Sequence, residues 1–333
     1  MNRGMYLLVA SLFLATAACT SGSDELVIYS SRTSSLVQPL LEEYAEQTGT
    51  NIRVRYASTA SLVATLLEEG NNSPADVIYL AEPSGWGALS ESGMLSQLTD
   101  GLLNSVDPRF RSSRGEWVGT SGRSKVVVYN TENVVPARDL PESIMGFTDP
   151  MWKGRIGWAP THGEWQISLM SISLVKGEDA ARAWLESIKD NDPKRYPNLI
   201  SIVQAVANGE VDVGFVNHYY VPRLIAEQGD GLKARNYYLG NGDPGATIDV
   251  AGVAIHQSTG STKSAEDFIQ YMLDIAAQEY FAQETHEYPL SAGVAPSGDL
   301  PPLSGLDPPN IDLSDLSDIK GTIALLRDTG VIP

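Results

Sequence analysis

From Glu25 onward the chain alternates between two hydrophobic periods. The run "ELVIYSS" is continuously apolar and short, which predicts a buried strand. The next stretch, "SLVQPLLEEYAEQTG", places Val37, Leu40, Leu41 and Tyr44 on one helical face, with Pro39 in the first turn and Gly49 as the stop. "NIRVRYAS" alternates as a strand, "SLVATLLEEG" is a helix closed by Gly70, "ADVIYL" is a short buried strand, and "GWGALSESGML" is helical. This β-α order implies a mostly parallel sheet covered on both faces, with ligands at the carboxyl ends of its strands. The loops "YSSRTS" and "LAEPSG" are therefore candidate site loops by topology alone.

A second set of elements follows. It holds the strand "SKVVVYN", an extended Pro-bearing loop, the strand "WKGRIGWAP", helices over "EDAARAWLESIKDN" and "NLISIVQAVANGE", and the strand "VDVGFVN". After the loop "GNGDPGAT" come the strand "IDVAGVAI" and two helices within Ser264 to Glu284. "DLPPLSGLDPPNIDLSDLSD" is a Pro-rich acidic crossover before the helix "IKGTIALLRDTG", and its carboxylates lack the spacing of a calcium loop. The chain carries no internal repeat.

Composition narrows the partners. Of 333 residues, 42% are hydrophobic and 19% charged, enough for two domains with proper cores. A formal charge of -18 repels nucleic acid and anionic lipid and welcomes a cationic ligand. The start, "MNRGMYLLVASLFLATAAC", has one Arg, an apolar run and small residues before Cys19, the pattern of a secretory signal. Residues 1–18 are expected to be removed. Thr16-Ala17-Ala18-Cys19 resembles a lipoprotein lipobox with Thr where Leu is usual, so Cys19, the only cysteine, is the expected lipidation site, and 19–25 a tether. No Walker loop, dinucleotide fingerprint or nucleophile elbow is present, which argues against an enzyme.

The stretch "VDVGFVNHYYVPRL" sets Tyr219 and Tyr220 side by side at the mouth of a strand. Adjacent side chains do not share a face of a regular element, so the pattern by itself suggests one core tyrosine and one surface tyrosine.

The landmarks taken together change that reading. "VIYSSR", "LLEEYAEQTG", "LLEEGNNSPADVIYL", "LSESGML", "SGRSKVVVYN", "MWKGRIGWAPTHG", "AVANGEVDVGFVNHYY", "GDPGA", "VAGVAI" and "YPL" occur in the order and spacing of one family. The chain resembles the periplasmic ferric-iron-binding proteins of bacterial ABC importers, within the family 1 extracellular solute-binding proteins, over essentially its whole mature length. The resemblance implies a type II periplasmic-binding-protein fold, two α/β lobes with the ligand cleft between them. Residues 26–123 with 249–299 would form the first lobe and 124–248 with 300–333 the second. The crossings would lie near Ser121 to Lys125 and Thr247 to Val250, and closure would be a hinge motion.

What the resemblance implies for the site is carried residue by residue. The paired tyrosines of the family's "N-x-Y-Y" turn bind Fe(III), which points to Tyr219 and Tyr220. Ferric iron is a hard cation that favours anionic oxygen and drives phenols to ionise. Elsewhere the chain departs from the pattern. A histidine ligand of some members falls on Thr33, a carboxylate or glutamine ligand on Ala81 with Glu82 one residue later, and a third tyrosine on Trp165. The gap suggests an exogenous anion, carbonate or phosphate. Its candidate donors are Ser31, Arg32 and Thr33, then Arg123, and the start of a helix at His162 and Gly163. His218 would tune the tyrosine pair from behind or be structural, and packing roles are expected for His256 and His286.

The implied function is capture of Fe(III) by a monomeric, lipid-anchored protein outside the cytoplasmic membrane, and delivery to a permease with its ATPase. The rival is a protein of the same architecture for an organic cation, polyamine, thiamine or oxyanion. There Tyr219 and Tyr220 with Trp86 and Trp165 would form a stacking surface.

Overall fold

One strand of 14 residues, Trp117–Asn130, belongs to two sheets, and the molecule is organised around it. A computed structural model describes residues 25–298 and 300–333; Cys19 and the expected signal lie outside the described residues. Before the long strand come β1 (Leu26–Ser30), α1 (Ser34–Thr48), β2 (Ile52–Tyr56), α2 (Thr59–Glu69), β3 (Val77–Leu80), α3 (Trp86–Glu91) and the short α4 (Asp100–Leu103). The long strand is β4. After it run α5 (Pro136–Asp139), β5 (Ile156–Trp158), α6 (Gly163–Lys176), α7 (Glu178–Asp190), β6 (Lys194–Arg195), α8 (Leu199–Ala207), β7 (Val213–Asn217), α9 (Tyr220–Gln228) and β8 (Ala234–Tyr237). The chain crosses back through β9 (Ile248–Ile255) to α10 (Thr262–Leu273), α11 (Ile275–Tyr280) and β10 (Tyr288–Pro289), and α12 (Ile319–Asp328) is the last helix.

The strand order is β2-β1-β3-β9-β4-β7-β5-β6, with β10 and β8 also on β4. The first half of β4 pairs antiparallel with β9, from Trp117 opposite Ala254 to Ser124 opposite Ile248. The second half pairs with β7, from Lys125 opposite Asn217 to Tyr129 opposite Val213. The Lys125 N–H donates to the Thr247 carbonyl at 2.8 Å, so the two crossing strands are bonded where they change partners. The sheets are mixed rather than mostly parallel. β1, β2 and β3 are parallel, as are β5, β6 and β7, but each set meets antiparallel strands wherever the chain shuttles between lobes.

Two hydrophobic cores flank this crossing, giving two α/β lobes. The first gathers Leu26 to Val118 with Ile248 to Leu290, and the second gathers Val126 to Ala246 with Leu325, Leu326 and Val331. Two details depart from the expected lobe limits. Leu303, Leu306, Ile311, Leu313 and Leu316 pack on the first core, so the Pro-rich crossover stays with that lobe until α12. Helix α6 also feeds both cores, with Trp165, Leu169 and Ile172 in the second and Ile167 and Met170 in the first. A helix buried around its circumference has little amphipathic signal to read.

Strand β7, which ends at the tyrosine pair, needs close packing against α8. A Cβ on Gly214 would lie 2.2 Å from Ile202 Cγ2 and 3.2 Å from the Gly157 carbonyl. Gly214→Ala should therefore cost about 1–3 kcal/mol by overpacking. Thermal unfolding of the metal-free protein checks this, and an unchanged Tm would contradict the packing described.

Candidate functional site

The tyrosine pair sits where β7 gives way to α9. Asn217 ends the strand, His218 follows, Tyr219 is the cap residue with φ -69° and ψ -16°, and Tyr220 is the first helical residue. The backbone changes course between strand and helix, so neighbouring side chains are freed from the rule that separates them inside either element. Their ring centroids are 4.3 Å apart with planes at 39°. Tyr219 is buried and Tyr220 half-buried.

Beneath the pair lies a buried ionic cluster on the crossing strands. Arg123 and Lys125 project from β4 on the same side, two residues apart. Glu164, in the first turn of α6, accepts from Arg123 Nη1, from Lys125 Nζ at 3.1 Å and from Asn217 Nδ2 at 2.9 Å. Lys125 Nζ also donates to Asn217 Oδ1 at 2.8 Å and to the Glu164 carbonyl at 3.0 Å. Asp249 on β9 faces both cations, 3.4 Å from Arg123 Nη2 and 3.3 Å from Lys125 Nζ. Arg123 Nη2 reaches the Ala81 carbonyl in the loop after β3. The cluster thus joins both crossing strands to both lobes.

The electrostatics follow from burial and these charges. Burial pushes both phenols above their ordinary value of 10, Tyr219 far above it. The Glu164 carboxylate pushes the same way on both, while Arg123 pulls back. Both phenols are therefore neutral in the empty protein near neutral pH. Burial by itself would raise Glu164, yet Arg123, Lys125 and Asn217 hold it well below the ordinary carboxylate range. Burial raises Asp249. Glu82, half-buried in the loop after β3, is pushed up to about 7, first by desolvation and then by Glu164 across the cleft.

Of the anion donors expected from the sequence, the Arg32 and Arg123 guanidiniums are engaged by the chain's own carboxylates, whereas Thr33, His162 and Gly163 are not. Arg32 is buried and forks onto Glu287 at 2.9 and 2.8 Å, and Ser121 Oγ donates to the same carboxylate at 2.6 Å. Ser31 Oγ accepts from the Ala81 N–H at 2.7 Å and from Thr59 Oγ1 at 2.8 Å. Thr33 is exposed at the start of α1. His162 precedes α6, its Nδ1 buried and without a partner among the described residues, and Gly163 opens the helix with free space where a Cβ would sit. His218 is buried behind the pair. Its Nδ1 accepts the Ser124 N–H at 3.1 Å, its ring stacks on Tyr288 at 4.5 Å, and burial drops its pKa to about 3, so it is neutral. His256 is bound through Nδ1 by Ser258, and His286 Nδ1 pairs with Ser297.

Trp86 and Trp165 are not a stacking surface. Trp86 stacks on Trp117 at 5.6 Å inside the first core, and Trp165 lies edge-on to Trp158 inside the second. Among the described residues no group of three or more His, Cys, Asp or Glu is arranged to hold a metal. The convergent donors are instead two phenols and carboxylates on either side of the cleft, with two cations behind. Such a set suits a hard, highly charged cation that can displace phenolic protons.

Comparison with known proteins places the chain. The profile of the bacterial extracellular solute-binding proteins matches residues 40–303. The chain belongs to that family. This solute-binding protein is 30% identical over 325 residues to the "Major ferric iron-binding protein" of Neisseria meningitidis serogroup A (strain DSM 15465 / Z2491), covering 97% of this chain and 98% of that protein. It is also 30% identical over 329 residues to the "Fe(3+)-binding periplasmic protein" of Serratia marcescens, covering 98% and 96%. Iron-bound HitA from Pseudomonas aeruginosa superposes with a TM-score of 0.85 at 32% identity, over 92% of this chain and 99% of that one. Trichodesmium IdiA (FutA), with iron and citrate ligands, gives 0.81 at 25% identity over 92% and 99%. Membership makes this solute-binding protein a binding component of transport rather than an enzyme.

Glu82 supplies a test of the cleft electrostatics without any metal. The folded protein holds its proton more tightly than the unfolded chain, whose carboxyl titrates near the ordinary 4.5. Ionising Glu82 therefore costs stability progressively as pH rises from about 4.5 to about 7 and costs nothing below. Glu82→Gln should raise the Tm of the metal-free protein by about 2 °C at pH 8, with no gain at pH 4. Equal shifts at both pH values would contradict the assignment.

Proposed function

We propose that this protein captures Fe(III) through the phenolate oxygens of Tyr219 and Tyr220 and hands it to an ABC-transporter permease. The observation that carries the reading is the convergence of two phenols, one buried and one half-buried, at a strand-to-helix junction, with Arg123 behind them to offset phenolate charge. The ferric-iron-binding names of its relatives support the same cargo. Binding displaces two phenolic protons, so acid opposes loading and favours release. Glu82, across the cleft, is a candidate third protein oxygen. In this reading the lobes close by hinge motion at the β4 and β9 crossings, the protein acts as a monomer, and acylation of Cys19 tethers it outside the cytoplasmic membrane.

The rival cargo, an organic cation or another non-metal ligand, loses support because the two tryptophans expected to widen the stacking surface are core residues. A carbonate or phosphate held by Arg32 and Arg123 would have to compete with Glu287 and Glu164 for those guanidiniums.

Removing the two phenolic oxygens tests the reading. Tyr219→Phe with Tyr220→Phe should abolish the visible phenolate-to-iron absorption and reduce iron retention at least about a hundredfold, since two anionic donors vanish. Thermal unfolding of the metal-free form should stay within a few degrees of the parent, because the rings still fill their places. A double variant that keeps the coloured band contradicts the assignment.

A further inference from the structure

The convergence on Glu164 goes beyond that reading and rests on it. Fe(III) bound by two phenolates keeps one unit of positive charge, which is the reason an additional anion belongs in such a site. In this protein the place beside the phenols already holds one. Glu164 lies in the first turn of α6, a helix of 14 residues, where the backbone dipole favours negative charge. Its carboxylate takes Arg123 Nη1 on Oε1, and Lys125 Nζ at 3.1 Å and Asn217 Nδ2 at 2.9 Å on Oε2. A carboxylate offers about four acceptor positions. Three are used by these donors, and one remains.

On the same cations the chain's own groups take the Arg123 Nη atoms and Lys125 Nζ, and only Arg123 Nε is without a partner among the described residues. The Arg123 fork is divided between Glu164, the Ala81 carbonyl and Asp249. Lys125 spends its protons on Glu164, Asn217 and Asp249. A carbonate or phosphate that took Arg123 Nη1 or Lys125 Nζ would have to evict Glu164 and leave a buried carboxylate without partners. Asn217 ties Glu164 to the tyrosine junction, because the residue that donates to Glu164 is two positions from Tyr219.

We propose that Glu164 takes the place of the external anion, giving one carboxylate oxygen to Fe(III) beside Tyr219 and Tyr220, so that the protein loads iron without carbonate or phosphate. The charges of one Fe(III), two phenolates and one carboxylate then sum to zero, and Arg123 and Lys125 hold the carboxylate in register.

The experiment uses metal-stripped protein in buffer freed of carbon dioxide and phosphate. Iron is added as ferrous perchlorate and oxidised by carbon-dioxide-free oxygen, and the phenolate-to-iron band is followed with and without added bicarbonate or phosphate. The parent should reach its full band at one iron per chain in the anion-free buffer, with a change of less than twofold in retention when bicarbonate or phosphate is supplied. Glu164→Ala should lose the band in anion-free buffer and regain it, at a shifted wavelength, when either anion is added. A parent band that needs bicarbonate or phosphate overturns the proposal and leaves the tyrosine reading standing, and this arm needs no variant to fold. A Glu164→Ala band that is full without either anion overturns it as well. No band in the parent under any anion removes the tyrosine reading beneath it.

Discussion

Two cations buried on one strand, Arg123 and Lys125, must be answered by anions, and that requirement organises the cleft. The answering groups come from four separate elements: Glu164 from α6, Asp249 from β9, Asn217 from β7 and the Ala81 carbonyl from the loop after β3. Removing one partner of such a cluster typically costs about 3–5 kcal/mol, because a buried charge is left uncompensated, whereas the intact cluster adds little net stability. The cluster is therefore a positioning device. It fixes the crossing strands, the start of α6 and the end of β7 relative to one another, and the tyrosine pair inherits that geometry.

The same charges tune the phenols. Burial and the neighbouring carboxylate keep Tyr219 and Tyr220 protonated, so the empty site carries no excess negative charge inside the protein. In the proposed reading a trivalent cation reverses the balance: it would replace the phenolic protons, with Arg123 already in position beside the resulting anions. Loading and release are then opposite directions of one proton-coupled exchange. A second buried ion pair, Arg32 with Glu287, to which Ser121 also donates, braces the first loop against the start of the crossing strand.

Local pattern carried much of the architecture. Val37, Leu40, Leu41 and Tyr44 lie buried on α1 as their spacing requires, and the strands of "VIYSS", "DVIYL" and "DVGFVN" form where their apolar runs place them. The tyrosine pair is singled out only by the order of landmarks around it, since its own spacing suggests opposite faces. The rest lay in contacts that leave no periodic trace. Arg32 and Glu287 meet across 255 positions, α6 is apolar on two sides because it serves two cores, and the acidic crossover hides Leu313 and Leu316 among prolines and aspartates. Glu164 followed the same rule. An acid after "THG" reads as an ordinary helix start, and only the fold brings Arg123, Lys125 and Asn217 to it.

The most direct measurement is a crystal structure of the iron-loaded protein with anomalous scattering recorded at the iron edge. One iron peak is expected within bonding distance of the Tyr219 and Tyr220 phenolic oxygens and of Glu164, in the cleft above Arg123 and Lys125. An iron peak bound away from the tyrosine pair, or a loaded protein whose phenolic oxygens do not touch the metal, would contradict it.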